Sequence, residues 1–134
     1  MVIYLLDTNS ISLLMREDAR MATWLSSVSA DDHVVICTIA RGEVLFGVKR
    51  LAYGRRRDEL EAKAQKLFAA LPCEAIPPGA ADLYADVKIA QQRRGLSLDE
   101  NDLWIAATAL AIGATLVSRD TDFVGIETLA VLAP

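Results

Sequence analysis

Apolar residues fall into two patterns along this chain: short aliphatic or β-branched runs, and longer stretches in which they recur three and four positions apart. The short runs predict strands at residues 2–6, 34–37, 73–76 and 115–117, with a weaker fifth at 128–132. The periodic stretches predict helices near 10–16, 19–26, 39–52, 57–71, 80–94 and 98–112. This alternation predicts an α/β fold with a central parallel sheet of about five strands flanked by helices. Pro72 stops one helix, Pro77 and Pro78 separate a strand from the next helix, and Gly95 and Gly113 stand where a left-handed residue closes a helix. Thr38 is placed to cap the third helix, and Ser97 with Glu100 has capping-box spacing, Asp99 competing as the cap. No repeat, linker or low-complexity tract interrupts the pattern, so residues 1–134 are expected to form a single domain.

Composition narrows the classes. An apolar content of 53% with 24% charged residues describes a globular chain able to bury a core. A net charge of −4 argues against coating nucleic acid by bulk charge and leaves room for a local basic patch. Cys37 and Cys73 lie in apolar surroundings without metal or redox spacing, and are expected as reduced core residues. The N-terminal run is too short for a signal peptide, and the most apolar stretch, 103–117, is interrupted by Thr108, Gly113 and Thr115. A cytoplasmic protein with no membrane association is the expectation.

Four acids stand where apolar stretches should point. In "LLDTNSISLL" the first strand ends on Asp7, followed by Thr8, Asn9 and Ser10. A helix cap explains such residues locally, whereas a carboxylate at a buried strand end also suits a ligand site. In "TLVSRDTDF" the fourth strand releases Ser118 and Asp120 in the same manner, with Asp122 as an alternative acid or a turn former. Asp102 shares a helix face with Ile105, Ala106 and Ala109, and Glu43 shares one with Ile39, Ala40, Phe46 and Gly47. Glycines at 42 and 47 weaken that helix by ~1 kcal/mol each relative to Ala, which predicts close packing against it. Inward carboxylates are costly unless paired, and these stripes contain no cation to pair them. A divalent ion would resolve the conflict, and all-oxygen ligands favour Mg²⁺ or Mn²⁺. The single histidine, His33, sits in a polar turn beside Asp31 and Asp32 and reads as a surface residue.

The segments "LLDTN", "TIARGEVLFGV" and "DLWIAATALAIGATLVSRDTDF", in this order, resemble the PIN-domain ribonucleases, specifically the VapC-type toxins of toxin–antitoxin pairs. The resemblance covers nearly the whole chain and implies a PIN-like three-layer fold. It implies that Asp7, Glu43, Asp102 and Asp120 hold Mg²⁺ or Mn²⁺ for hydrolysis of an RNA phosphodiester, with Asp122 the alternative fourth acid. Thr8, Asn9, Thr38 and Ser118 match polar positions supporting the acids. It further implies a VapB-like antitoxin that covers the groove, and a homodimer. Leu13, Leu14, Trp24 and Leu25 are available for such an interface or for the core.

RNA needs positive charge beside an acidic site. "VKRLAYGRRR" supplies Lys49, Arg50, Arg55, Arg56 and Arg57, with Tyr53 available to stack on a base; Arg93, Arg94 and Arg119 could extend the surface. The same cations also read as a solvated helix end or a protein contact. Two other functions remain open on the sequence: a catalytically silent metal- or RNA-binding module, and a Mg²⁺-dependent phosphatase or phospho-accepting receiver. Asn9 stands where such a phosphatase would need a second Asp.

Overall fold

The computed structural model describes residues 1–134. Five parallel strands, β1 (Ile3–Leu6), β2 (His33–Cys37), β3 (Cys73–Glu74), β4 (Thr115–Val117) and β5 (Val131–Leu132), form one sheet in the order β3-β2-β1-β4-β5. Six helices surround it: α1 (Thr8–Met15), α2 (Ala19–Ser27), α3 (Thr38–Lys49), α4 (Arg55–Ala70), α5 (Ala80–Arg93) and α6 (Glu100–Ala111). A short 3-10 helix, Thr121–Gly125, lies between β4 and β5 and has no counterpart in the sequence expectation.

β1 is central because its residues are apolar on both faces: Leu5 and Leu6 are fully buried. Its partners are β2, through Ile3↔His33 to Leu5↔Val35, and β4, through Tyr4↔Thr115 to Leu6↔Val117. From β1 the chain winds outward through β2 and β3, then returns to the opposite side for β4 and β5. The order therefore reverses between β1 and β4, the place outside whose carboxyl ends such sheets bind ligands. The core around the sheet includes Ile11, Met21, Ile36, Ile105, Leu116 and Phe123.

Most predicted elements are present, with shifted ends. β3 stops at Glu74 rather than residue 76, short of Pro77 and Pro78, and β5 contracts to Val131–Leu132. Gly95 and Gly113 take the positive φ expected of helix-closing residues, at 70° and 68°. Thr38 does not cap α3: Cys37 occupies that position without a side-chain bond, and the Thr38 hydroxyl donates to the Glu74 carbonyl at 3.3 Å. Asp99, rather than Ser97, caps α6 by accepting the Asn101 N–H, while Glu100 turns to Lys88 and Tyr84. Cys37 is buried as expected, but Cys73 is exposed because β3 is a two-residue edge strand. Leu13, Leu14 and Trp24 pack against the core. No helix is long and apolar enough to cross a membrane.

Candidate acidic active site

Asp7 follows the last residue of β1 and is 3% exposed. Its extended backbone makes it the N-cap of α1, where Oδ1 accepts the Ser10 N–H at 2.8 Å. Oδ2 accepts the Ser118 hydroxyl at 2.5 Å, so the cap and ligand readings of this residue are compatible. The Asp7 N–H donates to Val117 O, fastening the two strand ends together. Ser118 is itself buried and also accepts the Asp120 N–H at 3.0 Å. A single hydroxyl thus connects the acids at the ends of β1 and β4.

Glu43 enters from α3 and is partly buried; Thr8 donates its hydroxyl to Glu43 Oε1 at 2.7 Å. Asp102 enters from the first turn of α6, in front of the buried Ile105, Ala106 and Ala109. Burial pushes its pKa from 3.8 up to about 6, and the carboxylates of Asp99, Glu43, Asp120 and Asp7 push in the same direction. Glu43, Asp120 and Asp7, the other acids singled out in the sequence, thus lie near enough to Asp102 to bear on it.

Other sequence expectations separate here. Asp120 caps the 3-10 helix by accepting the Asp122 N–H at 2.9 Å, whereas the Asp122 side chain is exposed. Thr8 and Ser118 support acids as expected. Asn9 is exposed, and Thr38 contacts the β3 carbonyl rather than a carboxylate. A Cβ added at Gly42 or Gly47 meets nothing within 4 Å, so the expected close packing is absent and α3 faces open space there. Phe46, expected on the inward stripe with Glu43, is 67% exposed, because Ala40, Val44 and Val48 form the buried face.

One feature of the site's support was invisible along the chain. Arg119, between Ser118 and Asp120, pairs with Asp18 at 2.6 Å and donates through Nε to the Pro134 carbonyl. This pairing holds the Asp18 carboxyl down to about 2. Arg119 therefore anchors the turn that carries Asp120 and does not neutralise the acid cluster. Its neighbours in the sequence give no signal of a partner 101 positions away.

No three carboxylate, imidazole or thiol side chains converge closely enough, as positioned, to ligate one ion jointly. The donor chemistry nevertheless fits a hard cation. Mg²⁺ commonly binds through one or two carboxylates and keeps several waters, and the mutual repulsion felt at Asp102 is the condition such an ion relieves.

Fold and site together define an α/β protein with acidic side chains gathered at the reversal point of a parallel sheet. Within that class the chain belongs to the PIN domain family, which it matches over residues 4–128. Among its relatives, Toxin FitB of Neisseria gonorrhoeae is 30% identical, with 97% of this chain and 96% of the relative covered. Ribonuclease VapC1 of Haemophilus influenzae strain R2866 is 29% identical over 89% of this chain and 87% of its own length. Among solved structures, a chain of FitAB bound to an IR36 DNA fragment superposes with a TM-score of 0.82 at 29% identity, covering 96% of this chain and 93% of that one.

Proposed function

We infer that this protein is the toxin of a toxin–antitoxin pair and acts as an endoribonuclease, residues 1–134 forming one PIN domain. The observation that carries the reading is the placement of acids about the carboxyl ends of β1 and β4: Ser118 donates to Asp7 and accepts the Asp120 N–H, Thr8 beside Asp7 holds Glu43, and Asp102 lies in the first turn of α6. Relatives named as a toxin and as a ribonuclease along nearly the full chain support the same conclusion.

In this mechanism Asp7, Glu43 and Asp102 would hold Mg²⁺ or Mn²⁺ directly or through water, with Asp120 completing the set. Such an ion would supply Lewis-acid activation of water and offset charge developing on the phosphoryl group. Ser118 holds Asp7 by donating to Oδ2 and fixes the Asp120 backbone by accepting its N–H. Thr8 orients Glu43 through Oε1. Ser10 N–H locks the other Asp7 oxygen, so this carboxylate needs little rearrangement when substrate arrives.

A partner of the antitoxin kind, VapB-like in chemistry, would cover this acidic site, and a basic side chain reaching the acids would compete with the metal. The FitAB likeness supports a two-component assembly. A homodimer and a cytoplasmic site of action belong to the same reading. Asp102→Asn is expected to lower metal-dependent cleavage of cellular RNA by about 100-fold or more while the protein remains folded. Cleavage that persists in chelator or in this variant would overturn the assignment. Metal-dependent RNA binding without cuts on any host RNA would favour the silent module instead.

A further inference from the structure

A helix end is the least fixed part of a helix, yet α6 carries Asp102 in its first turn. The chain reaches that turn through residues 94–99, which lie outside regular structure and pass Gly95 at a φ of 70°. Asp99 caps the turn by accepting the Asn101 N–H at 3.2 Å. A cap closes a helix without fixing its roll about the axis. The buried face of α6 includes Ala106, Ala107 and Ala109, and ridges built of such short side chains interlock weakly with their neighbours.

Four side chains fasten this turn to α5. Lys88 Nζ donates to Glu100 Oε1 at 2.5 Å and to the Tyr84 hydroxyl at 3.1 Å, and that hydroxyl donates to Glu100 Oε2. Donors and acceptors close a triangle. The Tyr84 ring stacks on Trp104, with centroids 4.1 Å apart and planes 8° from parallel, and the Lys88 ammonium lies 5.4 Å from the Tyr84 centroid. Tyr84 and Lys88 stand four apart on α5, and Glu100 and Trp104 four apart on α6, so each pair shares one face of its helix. The Lys88 and Glu100 side chains are 38% and 56% exposed, and an ion pair so open to solvent adds little to overall stability. Its place in the fold is the informative part.

Asp102 is two residues from Glu100 and two from Trp104, which puts it about 160° around the axis from each. The contacts with α5 thus grip α6 on one side while the acid projects from the other. At a side-chain radius of about 5–6 Å, a roll of about 10° displaces the carboxylate by roughly 1 Å. A displacement of that size at a reacting centre costs about a hundredfold in rate. We propose that Tyr84, Lys88, Glu100 and Trp104 are positioning residues, a clasp that sets the roll of α6 and with it the reach of Asp102 toward a divalent ion. The inference rests on the ribonuclease reading and deepens it by naming what aims one of its acids.

The sign of one substitution tests this. Lys88→Met keeps the aliphatic stem and removes a positive charge, so by charge alone it should tighten the binding of a cation to the nearby acids. A loosened clasp predicts the reverse. Mn²⁺ is titrated into the full chain without RNA and followed by electron paramagnetic resonance, and cleavage of cellular RNA is measured in parallel. Lys88→Met should weaken Mn²⁺ binding and lower kcat by about tenfold each, with the KM for RNA little changed. Tyr84→Phe keeps the stacked ring and loses only the hydroxyl; it should shift both in the same direction by a smaller factor. Lys88→Arg, which keeps the cation, should restore both, and thermal melts should show all three variants folded.

Mn²⁺ binding that is unchanged or tighter in Lys88→Met overturns the proposal, as does a Lys88→Arg variant as impaired as Lys88→Met. A raised KM for RNA with unchanged kcat and Mn²⁺ affinity assigns Lys88 to substrate contact and likewise rejects it. Wild-type protein that binds Mn²⁺ but cuts no RNA counts against the nuclease reading alone, since the Mn²⁺ titrations still decide the clasp. Wild-type protein that binds no Mn²⁺ overturns both.

Discussion

Asp102 is where the conflict between stability and function is concentrated. Its pKa is about 6 in the folded protein against 3.8 ordinarily, so the native state binds the extra proton between those values. Stability of the metal-free protein must then fall as pH rises from about 4 to 6. The full difference would correspond to roughly 3 kcal/mol, and solvent at this half-buried carboxylate reduces it to about 1 kcal/mol. Asp102→Asn is therefore expected to melt a few degrees higher than wild type in chelator at pH 7.5, with the gap closing near pH 4. The same variant is expected to lose cleavage, the trade that follows where a site is held against its own repulsion. Ser118 behaves oppositely. Ser118→Ala removes the donor to a buried Asp7 oxygen, which should cost about 1–3 kcal/mol in chemical unfolding and reduce cleavage as well.

At the scale of elements, α3 carries the clearest opportunity to separate fold from chemistry. Gly42 is exposed in a helix interior, and an added Cβ meets nothing within 4 Å. Gly42→Ala should stabilise by up to ~1 kcal/mol in thermal melts and leave cleavage unchanged. The central strands were legible because β1, β2 and β4 read as apolar runs, and the acids because Asp7, Glu43 and Asp102 interrupt apolar stripes. The outward turn of Phe46 was not legible. Ala40, Val44 and Val48 form as good a helical face as the stripe containing Glu43, and only packing against the sheet decides between them. Cys73 misled for a related reason: its apolar neighbours could not reveal that β3 would be a two-residue edge. The Thr121–Gly125 turn is short, and its cap, Asp120, resembles any strand-end acid until Asp122 N–H is seen to bond it.

Across the whole molecule, four of the eighteen acids stand about the carboxyl ends of β1 and β4, while five of the fourteen Lys and Arg residues fall within 49–57. On the proposed reading the two regions would act in sequence on one polymer: cations would draw it in, and a bound metal would let the acids tolerate its phosphates. Binding should weaken steeply with salt. With four unpaired cations each neutralising a phosphate, the logarithmic slope of affinity against salt on single strands should be about −3, and Arg56→Ala should reduce its magnitude by about 0.7. A slope near zero in anisotropy titrations would contradict this arrangement.

The lateral position of β4 has a consequence for the order in which the protein is made. β1 and Asp7 leave the ribosome first, yet β1 remains open along one edge until residues 115–117 arrive, and the hydroxyl that locks Asp7 belongs to Ser118. A nascent chain that already displays Asp7 and Glu43 lacks the other side of its site. On the proposed reading, a fragment ending ahead of β4 lacks Asp120 and the hydroxyl that holds Asp7, and is expected to be inactive in RNA cleavage.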